Sequence, residues 1–470
     1  MYGEWGGLSG IDFNNTVPDT FSVNNVTPLD ITNASICDDL GNLLFYTNGV
    51  SIFKRNSDTL MNGSDLNPCA FTTGYFNIGL PIPQADIIIK RPNHNGEYYI
   101  FHETFDNNLA TLTTILYQTV VDMSLDSGRG AVTNIKNYQL YNNDTIHPGL
   151  LSAVRHANGR DWWLISKKYF SPYYLKWLIE PDTILGPFVQ TNQPAFTGGL
   201  GFGQSCFSPD GDKYAIINNY KSFYVYDFDR CNGDLSYLYG SFLNDSSNWG
   251  NGCAFSPSGR FLYVATQFII YQYDLWAGNI ANSKTIVAVY DGFACPQPVG
   301  FTHFNMMRLG PDGKIYVCTD NGTYVLHVIE NPDSLGTLCN VQQHSFYLSP
   351  AIGSCLSLPN IADYRLGALD SSSCDTIVSI KDEGSKKNKL FEIFPNPTTG
   401  WITLQFFSKL QCSYTISLSD VTGQSVYELK DKSLVGNNNK HINLSGFSKG
   451  IYFFQMRSES INQTIRIYIE

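Results

Sequence analysis

Short apolar runs separated by polar turns follow one another along most of the chain, at a spacing typical of strands. The runs 214–217 and 261–264 are continuously apolar, which indicates strands buried on both faces. No segment has the apolar spacing of a long amphipathic helix. The pattern therefore predicts an all-β protein.

A strand–turn–strand unit recurs through the first 365 residues, and a glycine in each turn supplies the positive φ that the turn needs. Its clearest copies are 207–216, 255–264 and 309–317. The turns recur roughly every 50 to 60 residues, close to the length of a four-stranded propeller blade. Their glycines are Gly41, Gly96, Gly159, Gly211, Gly259 and Gly313. These repeats predict the blades of a WD40-like β-propeller.

A seventh blade is predicted from the two ends of this region. Residues 353–360 repeat the inner-strand pattern but lack outer strands, which Glu4–Asn14 could supply. Pairing of the two ends would close the ring and remove an exposed sheet edge. We therefore predict a seven-bladed β-propeller over residues 1–366, with six and eight blades as open alternatives.

Beyond residue 366 the composition changes. Polar and charged residues predict a linker over 367–389. From 390 to 470 short alternating runs return, with turn signals between them. Roughly 80 residues of this kind predict a small antiparallel Ig-like β-sandwich.

This C-terminal region carries a set of motifs in a characteristic order. Residues 394–400 lead into a strand, 418–426 contain a turn, 442–445 follow, and 449–452 open the penultimate strand. In order and spacing they resemble the type A C-terminal sorting domain of the Bacteroidetes type IX secretion system. The residues that match its sorting motif are Pro395, Asn396, Pro397, Gly400, Asp420, Gly423, Gly450, Tyr452 and Arg466. One departure is that Arg466 stands where the family has a Lys-containing basic strand, and Glu470 follows it.

The resemblance implies export through the Sec route and then the type IX translocon, so that the secretion machinery is a partner and the protein is secreted or displayed on the outer membrane. The family's sorting domain is commonly removed after export. Residues 1–365 resemble the propeller-type domain often found ahead of such sorting domains, through 10–14, 41–49, 84–90 with 98–101, and 358–360. The sequence as given opens without a basic and apolar leader, so we expect the signal peptide to be missing from it.

Charge and cysteine content narrow the function further. Only 15% of the residues are charged and the net charge is −11, which argues against binding to nucleic acid or anionic membranes. No apolar run approaches the ~20 residues of a membrane span. The eleven cysteines form no C-x-x-C pair, which argues against zinc. Export would permit disulfides, whose pairing the sequence does not assign.

Motifs for catalysis, cofactors and metals each fail a structural test. Gly446–Gly450 matches the nucleophile elbow by letter but lies in a small β module, and Gly199–Gly203 opens no helix. Asp227–Gly233 begins like a calcium loop but has its Gly one place late, so an acidic turn is favoured and an incidental Ca²⁺ stays open. His102 and Glu103 are adjacent in a strand and point to opposite faces. No catalytic, cofactor or metal-binding residue is therefore predicted.

Aromatic residues are the remaining candidates for ligand contact. The segment 169–177 is rich in them and could form a platform for sugars, although burial inside a blade is the favoured interpretation. Trp162 and Trp163 are consecutive on a strand, so we expect one ring on each face, buried between two blades.

The sequence thus predicts an exported β-propeller that recognises a surface protein or glycan and needs no cofactor. The alternative is a secreted glycan-active hydrolase or lyase with its site in the propeller funnel. Propeller sites draw residues from different blades, so linear motifs leave the question of an enzyme open, with binding favoured.

Overall fold

The computed structural model divides the chain into two units, Met1–Val378 and Ser379–Glu470. It describes residues 8–15, 17–23, 29–105, 113–191, 193–194, 202–296, 299–348, 356–369, 372, 374, 391–408, 410–420, 423–458 and 462–469.

Nearly all of the regular structure is β-strand, as the alternation of runs and turns predicts. The first elements are β1 (Leu8–Asp12), β2 (Asp19–Val23), β3 (Ala34–Cys37), β4 (Leu43–Thr47), β5 (Ile52–Lys54), α1 (Ala70–Gly74), β6 (Asp86–Lys90), β7 (Glu97–Glu103), β8 (Leu116–Asp122), α2 (Leu125–Gly128), β9 (Ala131–Val132) and β10 (Tyr138–Tyr141). Next come β11 (Ser152–Arg155), β12 (Trp162–Lys167), β13 (Tyr174–Ile179), β14 (Ile184–Gln190), β15 (Gly203–Phe207), β16 (Lys213–Asn218), β17 (Ser222–Asp229) and β18 (Asp234–Phe242). The unit continues with β19 (Gly250–Phe255), β20 (Phe261–Thr266), β21 (Ile269–Asp274), β22 (Thr285–Val289), β23 (Ala294–Pro296), β24 (Val299–Phe301), β25 (Phe304–Leu309), β26 (Ile315–Thr319), β27 (Val325–Ile329) and β28 (Val341–Tyr347), with 3-10 turns at Ala281–Ser283 and Gly336–Cys339.

These strands form a β-propeller. In the described residues of the first unit, six antiparallel sheets of three or more strands follow one another: β3-β4-β5, β6-β7-β8-β10 with β9 on β8, β11–β14, β15–β18, β19–β22 and β25–β28. The first strand of each sheet contacts the first strand of the next from β3 through β25, so these strands line a central channel. Two short hairpins, β1-β2 and β23-β24, stand apart from the six sheets.

All six predicted turn glycines join the first and second strands of these sheets. Each has φ between 71° and 82°, a region that only glycine enters without strain. The repeat found in the sequence is therefore the inner hairpin of each blade.

The number of blades remains a prediction. The described part of the predicted seventh unit, 356–360, contains no strand, and 349–355 lie outside the described residues. In the described residues β1 pairs with β2, and Phe13 packs edge-on against Tyr316 of the last sheet, with 5.6 Å between ring centroids. A hairpin next to the last sheet is consistent with an additional small blade.

The core consists of apolar layers between neighbouring sheets. Trp162 packs in the layer shared with the sheet of β6, and Trp163 packs in the layer shared with the sheet of β15. Both rings are buried, which confirms the prediction of one ring on each face of β12. Sandwiching of each sheet between two others is the physical reason for the continuously apolar strands.

The second unit holds β29 (Phe391–Phe394), β30 (Trp401–Ser408), β31 (Ser413–Ser419), β32 (Ser425–Lys432), β33 (Gly436–Asn443), β34 (Gly450–Arg457) and β35 (Asn462–Ile469). They form two antiparallel sheets, β29-β30-β33 and β32-β31-β34-β35. Alternate residues of both sheets, such as Leu404 and Ile416, share one buried cluster. This arrangement supports the predicted antiparallel sandwich, while its Ig-like character stays a prediction.

Candidate functional site

The nine residues of the predicted sorting motif lie at one end of the second unit. Ser419 pairs with Phe453 and Gly450 with Ile469, so β31 ends, β34 begins and β35 ends at the same edge. The loop before β30 joins this edge through a 2.8 Å hydrogen bond from Thr398 N to the backbone of β35. Residues from four separate stretches of sequence thus form one surface.

Asn396 ties this loop to the last strand. Its Nδ2 donates to Arg466 O at 2.8 Å, and its Oδ1 accepts from Tyr468 N at 2.9 Å. The side-chain amide therefore pairs with β35 as a neighbouring strand would, which explains the need for Asn at this place. The Phe394–Pro395 and Asn396–Pro397 peptide bonds are cis.

The other motif residues shape the turns at this end. Asp420 Oδ1 accepts from Gln424 N at 3.0 Å, and Gly423, with φ of 83°, donates to Asp420 O at 3.0 Å. Tyr452 is 9% exposed and its hydroxyl donates to Ser448 O at 2.9 Å. Gly400 leaves room for 444–445, because a Cβ there would lie 3.0 Å from Ser445 Cβ. Their role in sorting remains a prediction.

In the propeller, buried amide side chains cross the central channel. Gln204 Oε1 accepts from Cys253 N at 3.0 Å and Met307 N at 2.9 Å, which joins three blades. Gln84 exchanges two hydrogen bonds with the backbone of Ser205, at 2.8 and 2.9 Å. Asn360 Nδ2 donates to Leu151 O, just before β11, at 2.8 Å and to Asp86 O of β6 at 3.0 Å. Buried polar groups that are satisfied in this way rigidify the channel.

In each blade the turns between the first and second strands and between the third and fourth strands lie at one face of the propeller, which we call the hairpin face. Residues 356–369 and 374, which we call the strap, leave the channel at this face. Arg230 Nη2 donates to Gly367 O at 2.6 Å, and Leu369 N donates to Ala157 O at 2.7 Å. A disulfide between Cys231 and Cys374 fixes the end of the strap. The strap borders a cleft of about 320 Å³ with mainly apolar walls.

The opposite face is formed by the turns between the second and third strands of each blade and by the connections between sheets, and we call it the connector face. It carries exposed aromatic side chains at 36% to 59% exposure: Phe170, Tyr173, Tyr220, Phe242, Trp249 and Phe301. Near Phe170, Tyr169 lies 4.6 Å away between ring centroids. The only charged residue of this turn, Lys168, forms a 2.5 Å ion pair with Asp144. This turn therefore offers exposed ring faces whose one neighbouring cation is already paired.

A His–Asp pair lies at the same face between the last two four-stranded sheets. Nδ1 of His303 is 3.1 Å from Asp320 Oδ1, and both side chains are 12% exposed. The ring is enclosed by Phe268, Tyr290 and Phe301, with centroids at 5.1, 4.8 and 5.3 Å. Burial raises the pKa of Asp320, and the neighbouring His303 opposes this rise. The pair orients the imidazole so that Nε2 is on the far side of the ring from the carboxylate.

The structure also shows where the motifs lie that were rejected as catalytic, cofactor or metal sites. Gly446–Gly450 connects two strands of the second unit, as expected for a turn. Asp229 accepts hydrogen bonds from Cys231 N at 2.7 Å and Asn232 N at 3.3 Å, so it closes its own turn. Both ring nitrogens of His102 are bonded inside the core, to Asn67 and Thr119. Gly199–Gly201 lie outside the described residues.

The sequence favours burial inside a blade for the whole aromatic segment 169–177, and this prediction is only half right. Tyr174 and Trp177 are buried, whereas Phe170 and Tyr173 lie in a turn and are exposed. The boundary falls where β13 begins. The sequence signal that separates the exposed from the buried aromatic residues is a turn between two apolar runs, with Ser171-Pro172 at its centre.

The channel amides and the His303–Asp320 pair are not among the residues that the sequence predicts for a site. The channel amides bond to other blades, so linear spacing carries no signal for them. His303 and Asp320 adjoin the paired residues Phe304 and Thr319 at the open end of the β25–β26 hairpin, but a bulge in β25 hides this register in the sequence. A Gln at the start of an inner strand, as at Gln84 and Gln204, is the one regularity that could have suggested a channel role.

Comparison with solved structures gives distant likenesses. A functionally unknown protein of Desulfotomaculum acetoxidans is 12% identical, with 66% of this chain and 88% of that chain covered and a TM-score of 0.37. The β-propeller domain of Cps50 (Swd1) from Myceliophteria thermophila is 10% identical, with 63% and 80% covered and a TM-score of 0.34. Sqt1 from Chaetomium thermophilum is 12% identical, with 74% and 72% covered and a TM-score of 0.33. Likenesses at this distance say nothing about activity.

No curated protein matches the chain. Among the helices that the structure describes, none is long and apolar enough to cross a membrane. Residues 392–470 match the family model of the secretion system C-terminal sorting domain. The chain therefore carries a type IX sorting domain after its β-propeller, and it is exported by that system.

Proposed function

We propose that this exported protein recognises a glycan through the connector face of its propeller. The observation that carries the proposal is the set of exposed aromatic side chains on that face, including Phe170 and Phe301 at 59% and 57% exposure. Aromatic rings stack on the apolar faces of sugars without needing charge. The low charge of the chain, 15%, fits an uncharged ligand better than a charged polymer.

The channel interior supports binding at a face rather than inside the funnel. Gln84, Gln204 and Asn360 fill the axis and have their hydrogen bonds within the protein. A ligand in the axis would have to displace these satisfied contacts, which costs more than binding at an exposed surface.

A glycan array with the full-length protein tests the proposal. We expect a defined set of bound glycans, whose binding falls at least tenfold in F170A or F301A. Trp276, 64% exposed on the hairpin face, gives the matched control, and W276A should bind as the wild type does. Equal loss in W276A, or no glycan bound at all, would contradict the proposal; capture of a surface protein instead would favour a protein ligand.

The second candidate is a glycan-active hydrolase or lyase, and the His303–Asp320 pair is the observation that favours it. An imidazole held by a carboxylate can act as a general base. If bound glycans are cleaved on incubation, and H303Q abolishes cleavage but retains binding, the enzyme is favoured. Stable binding without products, unchanged in H303Q, favours recognition alone.

A further inference from the structure

Two cysteines outside the strap disulfide face each other in the wall of the central channel. Cys206 lies on β15 and Cys253 on β19, the innermost strands of neighbouring blades. Their Sγ atoms are 3.7 Å apart. A closing movement of under about 2 Å would bring the sulfurs to bonding distance.

The surroundings hold the two thiols in this position. Cys253 N donates to Gln204 Oε1 at 3.0 Å, and Cys253 Sγ donates to Gln204 O at 3.6 Å, so the two strands are fixed to each other next to the thiols. Cys253 is 1% exposed, whereas Cys206 is partly exposed and lines the 320 Å³ cleft of the hairpin face. One thiol is therefore open to a reagent and the other lies behind it.

We propose that Cys206 and Cys253 are a second disulfide site, which closes across the channel wall when the protein meets an oxidising disulfide. The Cys206 thiolate attacks one sulfur of the oxidant and releases the other as a thiol, giving a mixed disulfide. Cys253 then attacks Cys206 Sγ and releases the second thiol. In total two protein S–H bonds are lost, one S–S bond forms, and the oxidant takes up two electrons and two protons.

The order of the two steps follows from the burial of the two thiols. Burial raises the pKa of Cys253 well above its usual range, so it is poorly ionised and is the resolving thiol, while Cys206 receives the oxidant. The bond would join two cysteines that are 47 residues apart in sequence, and a cross-link of that span restricts the unfolded chain. An exported protein can form disulfides, and this chain already holds the Cys231–Cys374 disulfide in its folded state. A second disulfide is therefore compatible with the surroundings of the folded protein.

Oxidised glutathione and the full-length protein test the proposal directly. After incubation, free thiols are alkylated under denaturing conditions, and the digest is analysed by mass spectrometry before and after reduction. We expect a peptide pair joined through Cys206 and Cys253 that disappears on reduction. Cys318 and Cys339, both fully buried, serve as internal controls and should be alkylated throughout. Quantitative alkylation of Cys206 and Cys253 after oxidation would overturn the proposal.

Thermal stability of cysteine variants is a second measurement, and it distinguishes a disulfide from a packing role of the two cysteines. Relative to the oxidised wild type, C206S, C253S and the double variant should all lose the same amount of thermal stability, about 3 °C or more, because either change removes the same bond. After incubation without oxidant, C206S should match the wild type. Additive losses in the two single variants would mean that the cysteines act only by packing.

Discussion

Two carboxyl groups, Asp86 and Glu103, are fully buried on opposite sides of one blade and make the propeller sensitive to pH. Asp86 accepts from Thr47 Oγ1 at 2.9 Å, and Glu103 accepts from Gly149 N at 2.8 Å. Burial raises the pKa of Asp86 to about 7 and that of Glu103 to about 8. The folded protein therefore retains protons that the unfolded chain releases near pH 4, and stability is lost as pH rises through the folded pKa values.

We expect E103Q to be more stable than the wild type at pH 9 by on the order of 3 kcal/mol, because Gln needs no buried ionisation. At pH 4, where Glu103 is protonated in the folded state, the gain should vanish. Urea unfolding at the two pH values measures the difference. E97Q is the control: Glu97 lies on the same strand but is paired with Arg91 at 2.7 Å, so no comparable gain at high pH is expected. An equal effect of E103Q at both pH values would contradict this account.

At the residue scale, residues that a local backbone conformation requires can be recognised in the sequence. Residues whose role depends on a partner distant in sequence are harder to recognise. Gly211 and Gly259 are recognisable because a tight turn requires their positive φ, and both have it. Burial of Glu103 was not foreseeable, because a carboxyl at a strand end is normally exposed and only the fold brings Gly149 over it. His303 and Asp320 adjoin the paired residues Phe304 and Thr319 of one hairpin, and the bulge that sets this register has no evident sequence signal.

At the scale of elements, Asn396 shows how one side chain completes a sheet end. It bonds the loop before β30 to Arg466 and Tyr468 of β35. We expect N396A to lose two hydrogen bonds, to destabilise the second unit by about 1–3 kcal/mol and to speed amide exchange in β35. Hydrogen exchange of the full chain, followed peptide by peptide, measures this loss.

Asn438 offers a matched control at the opposite end of the same unit. It also makes a two-way amide contact, accepting from Leu434 N at 2.7 Å and donating to Leu434 O at 2.8 Å. If the Asn396 end is the surface that the secretion machinery reads, export in a type IX host should fall in N396A and not in N438A. Equal export of the two variants would count against that end.

Strands of both units were predictable because their apolar patterns are local, whereas the strap was not. Its path depends on Arg230, which holds Gly367 O from a distant blade, and on the Cys231–Cys374 disulfide. The predicted linker began at 367, yet Leu369 still bonds to Ala157 of the propeller. The sequence of the strap is polar and weakly patterned, so it does not indicate that groups distant in sequence bind its backbone.

At the scale of the whole molecule, each unit has its own buried core. The propeller's apolar layers lie between its blades, and the second unit encloses a separate cluster that includes Leu404 and Phe454. Separate cores predict that the units fold independently, so that recognition and export are carried by different parts of the chain.

Deletion of residues 391–470 should therefore abolish export and leave the propeller folded. In a type IX host, with a Sec signal peptide ahead of the chain, the truncated protein should be absent from the cell surface and medium by immunoblot. Its propeller should keep the Cys231–Cys374 disulfide and the thermal midpoint of the full chain, since both cysteines and the blade layers precede the deletion. Export equal to that of the full chain would contradict the sorting role. Loss of the propeller's own thermal transition would instead show that the two units depend on each other for folding.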